Sequence, residues 1–299
     1  MNTANDDINP SISQTINWSH KFNGKHDISA LLGMNYEEFN AWSFSARGQD
    51  GYLDNELTEV GLATTFLKPS SSSSKVRLLS YFGRLNYDYA DRYLFEMNLR
   101  YDGSSRFVGN RWGLFPSASI AWRASDEFFF DWAKPVLTDA KFRLSWGTNG
   151  NERVGNYESI NQYNIGSYYN GVIGVTQTDK LANLDLSWES TEQTNIGLDV
   201  TLLDGRVSLV AEYYIKKTKD LLADEVIPSE LGVSSMRVNM GNIENKGMEF
   251  SLGYNKSWGD FSWNSNLTFS FNKNKIVELL DDAVDDEGCL LYTSPSPRD

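Results

Sequence analysis

Apolar and polar residues alternate along this chain in paired segments of about ten residues, a length typical of membrane-spanning strands. The clearest pair lies within residues 80–102. Because a β-strand turns successive side chains to opposite faces, each segment presents two sets of side chains. One set is apolar and aromatic: Tyr81, Gly83, Leu85, Tyr87, Tyr89, Tyr93, Phe95, Met97, Leu99 and Tyr101. The other set, apart from Phe82, is polar: Arg84, Asn86, Asp88, Glu96, Asn98, Arg100 and Asp102.

This division of faces favours a barrel with lipid outside and water inside. A soluble sheet has the same period, but it seldom places so many ionisable groups opposite an aromatic face. We therefore expect an all-β, antiparallel up-and-down barrel of the outer-membrane type, incomplete, forming an open curved sheet of about ten strands of a larger barrel. The convex face should carry Tyr81, Leu85, Tyr87, Tyr93, Phe95, Met97, Leu99 and Tyr101, and the concave face Arg84, Glu96 and Arg100.

Short turns and long loops alternate between the predicted strands. Five hairpins are predicted, over residues 11–19 with 26–42, 76–90 with 92–104, 112–123 with 140–149, 192–203 with 205–217, and 246–257 with 260–272. The third hairpin holds a short helical turn over residues 128–134, and the others have tight turns such as Asn23–Gly24. The connections between hairpins are long, at 43–75, 105–111, 150–191 and 218–245. This sorting of loop lengths is typical of outer-membrane barrels.

Two segments inside the long connections have predictions of their own. The low-complexity run Ser70–Ser74 is expected to form a flexible loop tip. Residues 159–165 read either as a strand or as part of a hairpin inside a loop.

Composition agrees with a barrel and excludes several other classes. The 299 residues suffice for one large β domain, and no apolar run reaches the length of about 18 residues that a spanning helix needs. The net charge of -13 argues against nucleic acid as a partner. The single cysteine, Cys289, excludes a disulfide framework. No signal peptide follows Met1, so we expect the true N-terminus to be missing.

The segment 289–299 does not read as part of the fold. Its residues, CLLYTSPSPRD, resemble the translation of a transposase adapter used in DNA sequencing. We expect an artefact that makes no specific contacts, with the gene cut off near Gly288 and the partial barrel occupying residues 1–288. The alternative is a natural, disordered tail rich in Ser and Pro.

Several stretches resemble the barrel of SusC/RagA-type TonB-dependent transporters of Bacteroidota. They are, in the same order along the chain, residues 101–107 (YDGSSRF), 112–119 (WGLFPSAS), 144–151 (LSWGTNGN), 181–199 (LANLDLSWESTEQTNIGLD), 213–222 (YYIKKTKDLL) and 241–249 (GNIENKGME). The resemblance extends to about Asp282. It implies a plugged barrel of about 22 strands, of which this chain supplies middle strands without the plug, the TonB-contacting segment or the closing strands.

The resemblance also implies active import across the cell outer membrane. In such transporters the substrate binds between extracellular loops, the plug and a SusD-like lipoprotein, and TonB then pulls on the plug. Glycan fragments are the first expected cargo and peptides the second. The implied partners are this lipoprotein, TonB, outer-membrane lipid, and an oligosaccharide or peptide substrate. Two alternatives remain open: a passive outer-membrane porin, and a soluble carbohydrate-binding β-sandwich.

Polar residues of the inward face and aromatic residues of the loops are the candidate site residues. The inward set is Arg84, Asp88, Glu96, Arg100, Asp102, Asp199 and Glu212. These residues either form salt bridges to the plug or merely keep the lumen polar. The loop set is Tyr163, Tyr168, Tyr169 and Trp188, which either stack on a substrate or pack the loop. A third set near strand ends suits the membrane interface: Trp18, Trp122, Trp146, Trp258 and Trp263.

Nothing in the sequence predicts an enzyme, a metal site or a cofactor. The two histidines, His20 and His26, flank a turn and read as surface residues, without the partners that zinc ligation needs. The acidic run at residues 281–287 lacks the spacing of an EF-hand and reads as a solvated loop. The usual nucleophile, phosphate-loop and metalloprotease motifs are absent from the sequence.

Overall fold

A computed structural model describes residues 2–50, 59–228, 230 and 232–278. Within them lie the strands β1 (Asn2–Ile8), β2 (Ser11–Phe22), β3 (His26–Gln49), β4 (Thr65–Tyr89), β5 (Tyr93–Ser104), β6 (Trp112–Arg123), β7 (Leu137–Asn151), β8 (Tyr163–Tyr169), β9 (Val172–Gln177), β10 (Lys180–Leu181), β11 (Glu189–Leu202), β12 (Val207–Lys219), β13 (Leu222–Val226), β14 (Ser235–Asn239), β15 (Asn242–Trp258) and β16 (Phe261–Glu278). Short 3-10 helices lie at Val60–Leu62, Ala124–Asp126 and Phe128–Ala133. In this part of the chain, no helix combines the length and apolarity needed to cross a membrane. The acidic run and the 289–299 tail lie outside the described residues.

Eleven strands form one antiparallel sheet. Its order is β1-β3-β4-β5-β6-β7-β11-β12-β15-β16, and β2 also pairs with β3. Because β1 and β2 occupy one position beside β3, the sheet is ten positions wide. Its two ends do not meet, which confirms the expected open sheet of about ten strands.

The strand at the start of the sheet is longer than the sequence pattern predicted. β1 continues the line of β2 along β3, with Ile8 opposite Asn40 and Ser11 opposite Glu37. The break between them falls at Pro10, which has no N–H for the ladder. The Pro10 carbonyl still accepts a hydrogen bond of 3.0 Å from the Glu38 backbone N–H, so the register is kept across the break.

All five predicted hairpins are confirmed, as β2–β3, β4–β5, β6–β7, β11–β12 and β15–β16. In the first turn Asn23 and Gly24 both have positive φ, at 48° and 66°, as a type I′ turn requires. The prediction of a flexible tip at Ser70–Ser74 was wrong, because this run lies in β4 opposite residues 41–45 of β3. A ladder is held by backbone hydrogen bonds, so a polar, low-complexity run can extend it.

The register confirms the two predicted faces. Tyr81 lies opposite Tyr101 and Leu85 opposite Met97, whereas Arg84 lies opposite Asn98 on the other face. The aromatic row stays open to the surroundings, with Tyr81 47% and Met97 49% exposed, so it is not packed between two sheets. This exposure excludes the β-sandwich alternative. By the same register all five tryptophans of the third set lie on the apolar face: Trp18, Trp122, Trp146, Trp258 and Trp263.

The long loops carry their own small structures at one end of the sheet. β10, β14 and β13 form a three-stranded sheet, and β8 and β9 form a hairpin. Residues 163–177 form this hairpin, which is the second of the two structures predicted for the 159–165 segment. A compact cluster of buried side chains, Phe107, Val154 and Leu186, lies under these loops. Phe107 and Leu186, the largest fully buried side chains among the described residues, are thus at the loop end, where they pack the loops against the sheet.

Candidate functional site

Arg143 is the centre of a charged cluster on the polar face. Its Nη2 donates a hydrogen bond of 2.9 Å to Asp199 Oδ1. Its Nε lies 2.8 Å from Asp199 Oδ2 without the alignment of a hydrogen bond, so that contact is an ion pair. Nη2 is also 3.7 Å from Glu212 Oε2. Two residues predicted to line the lumen, Asp199 and Glu212, are therefore brought together by an arginine that the candidate set lacked.

A glycine makes room for this cluster. In the register Arg143 faces Gly197 of β11, and Gly197 faces Glu212 of β12. A Cβ added to Gly197 would lie 2.9 Å from Arg143 Nη2. The guanidinium therefore crosses over the glycine to reach the next strand. The alternation of Lys141, Arg143 and Ser145 with apolar neighbours was the available sequence signal for Arg143.

A second acidic group adjoins the cluster. Glu249 of β15 lies directly opposite Glu212. Cβ atoms of opposed residues are about 4.5–5.5 Å apart, and like charges placed so are unfavourable. Among the described residues Glu249 has no ion-pair partner, while Glu212 has only the 3.7 Å contact with Arg143. This part of the polar face thus carries an excess of negative charge.

The other inward candidates form separate polar networks on the same face. Arg84 Nε donates to Asn98 Oδ1 at 2.7 Å, and Asn98 Nδ2 donates to Glu96 Oε1 at 2.7 Å. Arg100 Nε donates to both Asp102 oxygens, at 2.7 and 2.8 Å. Asp88 differs, because its Oδ1 accepts from the Asp91 backbone N–H at 2.8 Å and closes the short turn.

The polar face also has a broad recess of about 650 Å³. Its lining mixes both signs of charge and includes Asp27, Asp88, Glu96, Lys141 and Arg143. In the part of the chain that the structure describes, no cluster of three or more metal-ligating side chains occurs. The recess is therefore suited to a polar protein surface or a polar solute.

The loop aromatic candidates fall into two environments. Trp188 packs at ring distances of 5.4 Å from Phe107 and 5.5 Å from Phe115, and its Nε1 donates to the Arg111 carbonyl at 3.0 Å. It is thus part of the packed loop base. Tyr163 is 59% exposed on the β8–β9 hairpin. Tyr168 and Tyr169 lie in the same strand, β8.

An ion pair is also buried under the loops, between Arg106 and Glu152. Arg106 Nη1 lies 3.2 Å from Glu152 Oε1, and the Arg106 carbonyl accepts from Ser159 Oγ at 2.6 Å. Burial raises the pKa of Glu152, against the lowering effects of the Ser104 hydroxyl and Arg106. This contact ties the end of β7 to two loops.

The two histidines lie on the apolar face near the short turn. His26 Nδ1 is 2.9 Å from the Tyr87 hydroxyl, and the His20 ring is 4.2 Å from that of Phe22. Their neighbours are aromatic, as at the edge of a membrane barrel.

Comparison with known proteins shows that the sequence of this chain is similar to TonB-dependent receptors. The family model "TonB dependent receptor-like, beta-barrel" matches residues 2–296. TonB-dependent receptor P39 of Formosa agariphila is 36% identical over 277 residues, covering 89% of this chain and 26% of its own length. TonB-dependent receptor SusC of Bacteroides thetaiotaomicron is 35% identical over 270 residues, covering 86% and 26%.

Solved structures agree. The RagAB peptide transporter superposes with a TM-score of 0.87 at 27% identity, over 93% of this chain and 31% of that chain. The chain spans about a quarter of the length of the curated relatives it matches.

Proposed function

The chain belongs to the TonB-dependent receptor-like β-barrel family, and from that premise we propose that it forms part of the wall of an active outer-membrane importer of large nutrients. The observation that carries this proposal is the Arg143, Asp199, Glu212 and Glu249 group on the polar face. A barrel wall that holds a removable plug needs charged contacts that are strong but can be broken and formed again. Glu212 and Glu249, whose negative charges Arg143 does not fully neutralise, offer such contacts.

We expect the acidic pair, Glu212 and Glu249, to accept a basic side chain from the plug. Charge-assisted hydrogen bonds are about twice as strong as neutral ones in a partly dry site, and water entering the lumen weakens them. A plug held in this way stays seated at rest and is released when TonB pulls on it. Uniform lumen polarity, the other interpretation, gives these residues no special effect on transport.

The proposed cargo is a glycan fragment first and a peptide second. The exposed Tyr163 ring on the β8–β9 hairpin supports either cargo, since aromatic rings can stack on sugars and on peptide groups. The likeness to a structure titled a peptide transporter supports the second cargo. A SusD-like lipoprotein at the loop end is the proposed partner, on the strength of the SusC and RagAB likenesses.

Uptake by the full-length receptor tests this proposal. Cells carrying the receptor as their only route would be given fluorescent oligosaccharides or peptides, with and without an intact TonB system. We expect uptake of one class only, and only with TonB. Uptake that continues without TonB would identify a passive porin and refute the proposal.

A paired variant tests the role of the wall. Glu212→Gln with Glu249→Gln should lower the TonB-dependent rate several-fold or make the channel leak small solutes. Glu192→Gln, on the outward face of the same sheet, is the matched control and should leave both unchanged. Equal rates for the two variants would favour uniform lumen polarity.

A further inference from the structure

Four lysines form a row across three adjacent strands on the outward face, at the end of the apolar band that is nearer the long loops. The apolar rows of three neighbouring strands stop within one two-residue step of each other in the register, and lysines follow: Ile215 then Lys217 in β12, Met248 then Lys246 in β15, and Phe271 then Lys273 and Lys275 in β16. The register joins them, with Lys246 opposite Lys273, and Glu244 lying between Lys217 and Lys275. We call Lys217, Lys246, Lys273 and Lys275 the lysine rim.

The lysine rim carries more positive charge than its neighbours neutralise. Lys246 Nζ is 2.8 Å from Glu244 Oε1. Glu192 lies on the same face across from Lys217 through the ladder, and it accepts the Trp146 indole N–H at 2.8 Å. Glu278 is a third carboxylate on this face, opposite Asn242, whose side-chain amide donates a hydrogen bond to it. Three carboxylates therefore face four ammonium groups. Opposed like charges such as Lys246 and Lys273 are unfavourable by themselves, and the whole chain has a net charge of -13, so this local excess is not a result of composition.

On the same outward face, the first strands of the sheet show how such cations are neutralised when they serve only the fold. Lys75 and Arg77 of β4 both bind one carboxylate, Glu38, at 2.9 and 2.7 Å. The same carboxylate accepts from Asn40 and Tyr36. In the lysine rim Glu244 is in close contact with Lys246 alone, and among the described residues no carboxylate lies within ion-pair distance of Lys217, Lys273 or Lys275. The rim can therefore take an anion.

An apolar recess of about 630 Å³ lies directly below the lysine rim on the outward face. It centres on Ala211, whose single methyl group leaves a gap beside Tyr213, Phe250 and Phe269. Met248 and Phe271 close its upper side, and the next outward residues on those two strands are Lys246 and Lys273. Two residues along a strand are about 6.6 Å, which is the scale of a lipid headgroup above its first acyl carbons.

We propose that this surface binds a phosphate-bearing lipid of the outer leaflet, with the phosphate on the lysine rim and one acyl chain in the recess beside Ala211. The long loops of such barrels face the cell exterior, which places the lysine rim at the outer headgroup level. Lysine ammonium groups bind phosphate through charge-assisted hydrogen bonds. A lipid bridges the rim and the recess, whereas free phosphate would use the rim alone.

Native mass spectrometry of the full-length receptor in detergent tests the proposal. The probes are diphosphoryl lipid A, the same lipid with both phosphates removed, and inorganic phosphate. We expect the diphosphoryl lipid to bind at least tenfold more tightly than the dephosphorylated one. The variant Lys246→Gln with Lys273→Gln should lower that affinity about tenfold, and Ala211→Trp, which fills the recess with the rim intact, should lower it several-fold.

Matched controls separate the site from general charge effects. Lys216→Gln removes the same charge one residue away, on the polar face, and should bind within twofold of the unchanged receptor. Heat-modifiable migration verifies folding, and Lys217→Gln alone replaces the double variant if the latter fails to fold. Equal binding of both lipids, or unchanged binding by the rim variants, overturns the proposal. Displacement of the lipid by micromolar inorganic phosphate also overturns it, because the rim would then be a free-phosphate site.

Discussion

The ion pair between Arg143 and Asp199 gives the sharpest test of the polar face. The perturbation is a double-mutant cycle in the full-length receptor: Arg143→Gln, Asp199→Asn, and both together. The cycle isolates the interaction of the two side chains from their separate contacts with Glu212 and with solvent. Its readout is the free energy of unfolding in urea, measured by tryptophan fluorescence in lipid vesicles.

The expected coupling energy between Arg143 and Asp199 follows from the geometry of the pair. Two contacts of 2.8 and 2.9 Å would support a coupling near 1.5–3 kcal/mol if the pair were dry. The side chains are 36% and 29% exposed, and exposed pairs give about 0.2–1 kcal/mol. We therefore expect a coupling of about 1 kcal/mol. Arg143→Gln alone should cost about 1–2 kcal/mol, because it also leaves Asp199 and Glu212 without a shared cation.

Salt and a distant pair supply the controls. The coupling should fall by about half or more in 1 M salt, where the Debye length is about 3 Å. Arg84 lies on the same face in β4, with three strands between it and β11, so the cycle of Arg84→Gln with Asp199→Asn should give a coupling near zero. A coupling for Arg143 with Asp199 that is indistinguishable from this control would refute the assignment of Arg143 as the centre of the cluster.

Four further results are expected. Leu85→Lys, on the lipid face, should destabilise the receptor in vesicles by about 2–4 kcal/mol, whereas Asn86→Lys, one residue away on the polar face, should cost far less; equal costs would contradict the assignment of faces. Gly197→Val should displace the Arg143 guanidinium, and a crystal structure with the 2.9 Å hydrogen bond to the neighbouring aspartate intact would argue against the role given to the glycine. The raised pKa of Glu152 means that the carboxyl group holds its proton more tightly in the folded loop than in the unfolded chain. The stability of the loop should therefore fall as the pH rises from the ordinary glutamate pKa through the raised one, and hydrogen exchange of residues 152–160 should accelerate over that range. The variant Glu152→Gln should make this exchange rate much less dependent on pH. The chain of 299 residues expressed alone should not form a conducting pore in vesicles, because an open sheet leaves unpaired edge groups that cost several kcal/mol each in lipid, and stable single-channel currents would disprove this.

Local pattern determined the strands, the turns and the two faces. Alternation in residues 80–102 depends only on the two-residue period of a strand, so it can be read without knowing which strands are neighbours. The turn at Asn23–Gly24 is equally local, since these residue types tolerate positive φ. Strand ends were less well predicted. The ladder runs past Pro10 and through Ser70–Ser74 because backbone pairing with β3 does not need apolar side chains.

Tertiary structure alone decided which polar residues meet. Arg143 reaches Asp199 and Glu212 because β7, β11 and β12 are adjacent and because Gly197 stands between them. β7 and β11 are separated along the chain by the β8–β10 loop, so no local signal sets their register.

The same reasoning applies to the loop base and to the outward face. Trp188 is held by Phe107 and Phe115, which come from distant parts of the chain. The lysine rim exists only because three adjacent strands end their apolar rows within one two-residue step of each other. The two-residue period of a strand determines which side of the sheet a residue is on. Only the pairing of strands determines which other residues it contacts there.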